Sequence, residues 1–148
     1  MKTRILGAVL GIAALSGLLV PSPAQASDGV SSARANYTDG GAGSVRTTVD
    51  FVNRKKVVFR NFTVRDICPG DNFPVKARIF WTHTDGTSGY SAWKSDTNGC
   101  GDNGTNFGNI TRTGTKPISK VSLEVCIYTR SGGILSFAFS APRDNQYT

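Results

Sequence analysis

One histidine and one glutamate, His83 and Glu124, are all the chain has of two residue types that do most acid–base chemistry. A hydrolytic triad needs a base beside a nucleophile on a defined elbow, and no Gly-x-Ser-x-Gly occurs. His83 and Asp85 are spaced as a base and its orienter beside a glycine turn. His83 also continues the apolar face of Val75 to Trp81, which assigns the imidazole to packing or to a loop rim. No aspartate pair stands out for glycoside hydrolysis. Asp96-Thr-Asn-Gly-Cys-Gly-Asp102-Asn-Gly104 spaces oxygen ligands as calcium loops do, but lacks the closing glutamate and reads as loop chemistry. The sequence therefore assigns no catalytic, metal or cofactor-binding residue and reads as non-enzymatic. Helical periodicity is missing too, and after Val20 no apolar run could cross a bilayer.

What is present begins with a leader. Lys2 and Arg4 precede an uncharged run from Ile5 to Val20, and Ala24-Gln25-Ala26 supplies the small residues of a cleavage site. Residues 1–26 thus read as a secretory signal peptide, which predicts a secreted, extracellular product. Of seventeen basic side chains, the fifteen outside the leader face ten acidic ones, a formal charge of +5 on 122 residues. Such a balance favours encounter with anionic partners without identifying one.

From Ser44 onward the pattern is β. Val45, Thr47, Val49 and Phe51 alternate with polar residues; so do Val75, Ala77, Ile79 and Trp81, and again Val121, Leu123, Val125 and Ile127. Asn53 to Lys56 and Arg130 to Gly133 read as turns. The stretch Val57–Thr84 reads as two strands joined by a tight Cys68-Pro-Gly-Asp-Asn72 turn, with a bulge near Arg60-Asn61 and Phe80 as an exception on its polar face. About seven strands and no helix predict one all-β domain, residues 44–148, an antiparallel sandwich of immunoglobulin-like type.

Residues 27–43 differ in composition. Val30, Ala33, Arg34, Ala35, Asn36 and Tyr37 make a weakly apolar alternation, and Asp39-Gly-Gly-Ala-Gly43 reads as a tether. The segment is predicted to be a flexible N-terminal arm, either a disordered end or a strand able to join a partner's sheet edge, with those six residues as the partner-binding set. Arg46, Arg54, Lys55, Lys56 and Arg60 form a candidate patch for an anionic polymer, with Arg65 on an adjoining strand. Without interleaved aromatics or a nucleic-acid fold motif, the patch argues against polynucleotide. Trp81, Trp93, Tyr90 and Phe80 make either a sugar platform or core plugs.

Three cysteines leave one over in an oxidising compartment. Cys68 and Cys100 sit at strand–loop junctions, whereas Cys126 lies mid-strand. The expected bridge is Cys68–Cys100, with Cys100–Cys126 as the rival. Closing a loop of about 33 residues contributes about 3.5 kcal/mol in the chain-entropy model.

Asp66 to Asp71, the Asn98-Gly-Cys100 loop and the cysteine within Leu123–Ile127 resemble small secreted β-sandwich proteins of soil bacteria. Within that group the chain is similar to the adaptor subunit of umbrella-shaped antibacterial toxin particles. The resemblance implies an adaptor joining a large repeat-bearing toxin subunit to a lectin-like subunit through its N-terminal segment. The other classes left open are a free-standing cationic binder of cell wall or glycan, antimicrobial in its own right, and a protease inhibitor presenting the loop Thr97–Gly108.

Overall fold

The computed structural model describes residues 28–37, 40–67, 73–100 and 103–148. Its strands are β1 (Gly29–Asn36), β2 (Ala42–Asn53), β3 (Lys56–Ile67), β4 (Val75–His83), β5 (Ser88–Tyr90), β6 (Lys94–Ser95), β7 (Thr105–Asn106), β8 (Ile110–Thr113), β9 (Ile118–Tyr128), β10 (Ile134–Phe139) and β11 (Arg143–Asp144). Two antiparallel sheets form. One runs β1-β2-β3 with β7 and β8 beside β3; the other runs β10-β9-β4-β5, with β6 beside β4 and β11 beside β9.

The alternations read from the sequence mark the inward faces. Val45, Val49, Phe51, Val57, Phe59, Phe62 and Val64 of the first sheet meet Val75, Ala77, Ile79, Leu123, Val125 and Ile127 of the second, all almost fully buried. Burial of such side chains stabilises by about 1.5–3 kcal/mol each, so this interface holds the sandwich together. Its strand order departs from the immunoglobulin one. β1, β2 and β3 form a meander within one sheet, where an immunoglobulin domain sends its third strand to the opposite sheet.

Two expectations need correction. Val57–Thr84 is not a hairpin: β3 and β4 lie in opposite sheets. β2 occupies one edge of β3, and β7 and β8 share the other, so no ladder is left for β4. The two strands look alike in sequence because their apolar faces meet across the core. The proposed turn, 68–72, lies outside the described residues.

The flexible arm is the second correction. Gly29–Asn36 pairs with β2 through eight registered residue pairs, from Gly29 opposite Val49 to Asn36 opposite Ala42. Ala33 and Ala35 are buried, and Tyr37 stacks edge-on against Phe73 at 5.6 Å. The tether reading fails in its described part as well. Ala42 and Gly43 already belong to β2, and a Cβ on Gly43 would stand 2.7 Å from Val75, so the glycine serves a close approach across the core rather than flexibility. Residues 27, 38 and 39 lie outside the described residues. The folded unit therefore starts before residue 44.

The bulge is present. Pairing shifts between Arg46–Thr63 and Thr48–Arg60, and Asn61 adopts φ 53°, a region that asparagine tolerates better than most residues. The Thr47 hydroxyl donates to the Arg60 carbonyl at 2.8 Å and closes the irregularity.

Candidate functional site

The outward face of the β10-β9-β4-β5 sheet is rich in aromatics. Because β-strands alternate, the residues beside the core set point out in cross-strand rows: Phe139–Glu124–Arg78 in one and Phe137–Cys126–Lys76 in the next. Phe80 pairs with Tyr90 across the β4–β5 ladder, their rings 4.9 Å apart. The apparent exception on the polar face is thus a member of this aromatic surface. Trp93 meets Tyr128 edge-on at 5.9 Å, and Phe137 meets Phe139 at 6.2 Å.

Arg78 lies at the centre. Its guanidinium sits 3.7 Å from the Tyr90 ring centroid and 4.2 Å from that of Trp93, and its Nε donates to Glu124 Oε2 at 2.6 Å. Each ring thereby gives one face to the cation, so this side is not an open platform on which a sugar could stack. Trp81 is 7% exposed and belongs to the core, on the opposite side of β4 from Phe80. Glu124 also accepts from the Cys126 thiol at 3.6 Å. Burial first, and the Glu124 carboxylate second, push that thiol up to about 11.

At the β10 edge the surface turns apolar and accessible. Ile134, Phe137 and Phe139 are 58%, 61% and 48% exposed, and β9 is the only strand β10 pairs with among the described residues. A bulge at Leu135 displaces the start of the strand. From the sequence, Leu135, Phe137 and Phe139 read only as a strand that closes the sheet, and Ile134 is not singled out. Phe137 and Phe139 share a parity, which was the available signal that both face one way.

The expected site residues fall into separate places. Val30, Arg34 and Asn36 face outward on β1, with Arg34 Nε donating to Asn36 at 2.9 Å, while Ala33, Ala35 and Tyr37 pack inward. Arg46 and Arg60 come together on the outer face of β2 and β3, joined by Arg65. Arg54 and Lys55 form the two-residue β2–β3 turn, and Lys56 begins β3, so these three belong to the far end of the sheet. Arg60 forms an ion pair with Asp50. Cys126 is free and buried, Cys100 is disulfide-bonded, and Cys68 lies outside the described residues.

The residues considered for chemistry are tied into structure. His83 Nδ1 donates to the Pro117 carbonyl at 3.1 Å. Hydrogen bonds from Lys116 and then Thr87 hold the Asp85 carboxyl well below the usual carboxylate range. Asp96 accepts from Thr105 at 2.6 Å and from the Asp66 amide at 2.7 Å, which clamps the loop after β6 to β3 and β7. Among the described residues no group of three or more His, Cys, Asp or Glu could hold a metal ion, and no helix is long and apolar enough to cross a membrane.

No protein-family model matches this chain, and neither a curated protein nor a solved structure matches it.

Proposed function

We propose that this chain is a secreted, non-enzymatic protein–protein interaction module that docks through the outer face and β10 edge of the β10-β9-β4-β5 sheet. The observation that carries the reading is the joint exposure of Ile134, Phe137 and Phe139 on one edge strand. An unpaired edge with apolar side chains is a template for another chain, and soluble proteins normally blunt it with charge or cover. Phenylalanine and isoleucine offer no group to a sugar hydroxyl, which favours a protein partner over a glycan on this face. The partner's contact surface is apolar with an acidic rim, since Lys76 stands in the Phe137 row, Arg130 lies in the β9–β10 turn and Glu124 is already paired with Arg78.

An adaptor role in a toxin assembly is compatible with this face. It does not rest on the N-terminal segment, because handing Gly29–Asn36 to a lectin-like subunit would strip β1 from β2 and uncover Ala33 and Ala35.

The test is affinity purification of C-terminally tagged protein from culture supernatant, wild type beside a Phe137→Ser/Phe139→Ser double variant. The wild type should retain a stoichiometric protein partner that the variant loses, with both melting within about 3 °C of each other because the changes are at exposed sites. Equal retention by both, or no partner for either, would overturn the reading.

A further inference from the structure

The opposite sheet carries a surface of different chemistry, independent of the docking face. Arg46 on β2 stands opposite Ser32 of β1 and Thr63 of β3, while Ser44, two residues before it, stands opposite Arg34 and Arg65. Arg34 and Arg65 are therefore diagonal neighbours of Arg46, roughly 7–8 Å away in an antiparallel ladder.

A fourth arginine joins because of the bulge. Before it, inward positions on β3 are odd-numbered (Val57, Phe59); after it they are even-numbered (Phe62, Val64). An unbroken strand in phase with Phe62 would aim Arg60 into the core. The extra residue, Asn61 at φ 53°, leaves both Arg60 and Asn61 exposed on the outer face.

The result is a groove of about 470 Å³ lined by Arg46, Arg60 and Arg65 together with Thr48, Thr63 and Asn61. Among the described residues that line it there is no carboxylate and no aromatic ring. Arginine forks match tetrahedral oxyanions in a bidentate way. Threonine hydroxyls and an asparagine amide both donate and accept, as ligand hydroxyls do. Single-stranded nucleic acid would instead call for rings on which bases stack.

We propose that this groove binds phosphate or sulfate esters carried on the sugar or polyol units of an extracellular polymer. Arg46, at the centre of the diamond, grips the ester oxyanion, and Thr48, Thr63 and Asn61 hydrogen-bond the neighbouring hydroxyls. Arg60 lines the groove and stays anchored by Asp50, which offsets its charge. The two-residue turn of Arg54 and Lys55 is outside the site.

Calorimetric titration of the mature protein at low salt tests this with three charge-matched probes: a poly(glycerol phosphate), a sulfated polysaccharide and oligothymidylate. One of the two ester polymers should bind at least about tenfold more tightly than oligothymidylate. Arg46→Gln, at an exposed position, should weaken that binding about tenfold, and Arg46→Lys should recover only part of it because the fork is lost. Thr63→Val should weaken it without changing the salt dependence, whereas an Arg54→Gln/Lys55→Gln control should stay within about twofold. Which ester polymer binds identifies the source of the oxyanion. Equal weakening by the groove and turn variants would overturn the proposal as general charge attraction. Preference for oligothymidylate, or no binding to any probe, would overturn it as well.

Discussion

The Ser31 hydroxyl on β1 donates a 3.0 Å hydrogen bond to the hydroxyl of Ser140, 109 residues further along the chain and just past the end of β10. Both side chains are buried, and Ser140 Oγ also accepts from the Leu123 amide at 2.9 Å. The bond ties the edge of one sheet to the other. The Arg143 guanidinium does the same nearby, donating to the Val30 carbonyl.

Removal of β1 is therefore expected to damage the domain. Deleting Gly29 to Asn36 breaks the ladder on β2, uncovers apolar residues beneath Ala33 and Ala35, and leaves Ser140 without Ser31. The melting temperature should fall by more than about 10 °C, as a loss of several kcal/mol implies for a domain of this size. Thermal unfolding followed by circular dichroism measures it. A change of only a degree or two would restore the view of this segment as a detachable arm.

The Arg78–Glu124 pair should behave as a unit. Glu124 is 7% exposed and Arg78 is enclosed by two rings, so either one left alone is a poorly solvated charge. Glu124→Gln or Arg78→Met alone should each cost about 1–3 kcal/mol, with the double variant recovering part of the loss. A double-mutant cycle from urea unfolding reads the coupling. Additive effects would mean that the rings, not the carboxylate, hold the guanidinium.

Cys126 carries a pH dependence whose sign follows from its burial. The native thiol is pushed up to about 11, above the ordinary thiol near 9, so the native state favours the protonated form. The resulting stability is complete below about pH 8.5 and is lost as pH rises toward 11. Denaturation midpoints measured across that interval should decline more in the wild type than in Cys126→Ala. Thiol reagents should label native protein at Cys126 slowly throughout, and peptide mapping after such blocking should recover Cys68 linked to Cys100. A linked peptide containing Cys126 would contradict both expectations.

Which faces are buried was legible in the sequence, and which strands pair was not. Val45–Phe51, Val75–Trp81 and Val121–Ile127 announce their inward sides because burial on one face imposes a period of two. The same pattern fits any sheet with a core beneath it, so β3 and β4 looked like partners although they face each other across the core. β1 was obscured for another reason: Ser31, Ala33 and Ala35 are small, and their contribution lies in fitting under a close strand rather than in hydrophobic mass. The β10 patch was hidden because exposure is decided by the neighbouring strand, here β9 alone, which the sequence does not order. The basic residues were legible as a group; that Arg46, Arg60 and Arg65 share one face while Arg54, Lys55 and Lys56 lie at the β2–β3 turn was not, because strand register and the bulge decide that division.

Arg112 offers the sharpest test of the core at its β8 margin. The strand places it opposite Val57, and its guanidinium lies 4.0 Å from the Trp81 ring centroid. Its Nε is buried and finds no hydrogen-bond partner among the described residues. The stem and the cation–π contact cover a core tryptophan, while the unmet donor opposes them. Methionine keeps most of the cover and removes the donor, so Arg112→Met should leave stability unchanged or raise it by about 1 kcal/mol. Alanine removes the cover as well, and Arg112→Ala should lower stability by about 1–3 kcal/mol. Urea unfolding of the two variants separates the contributions. A methionine variant as unstable as the alanine one would mean that the charge over Trp81, rather than the packing, is what this margin of the core requires.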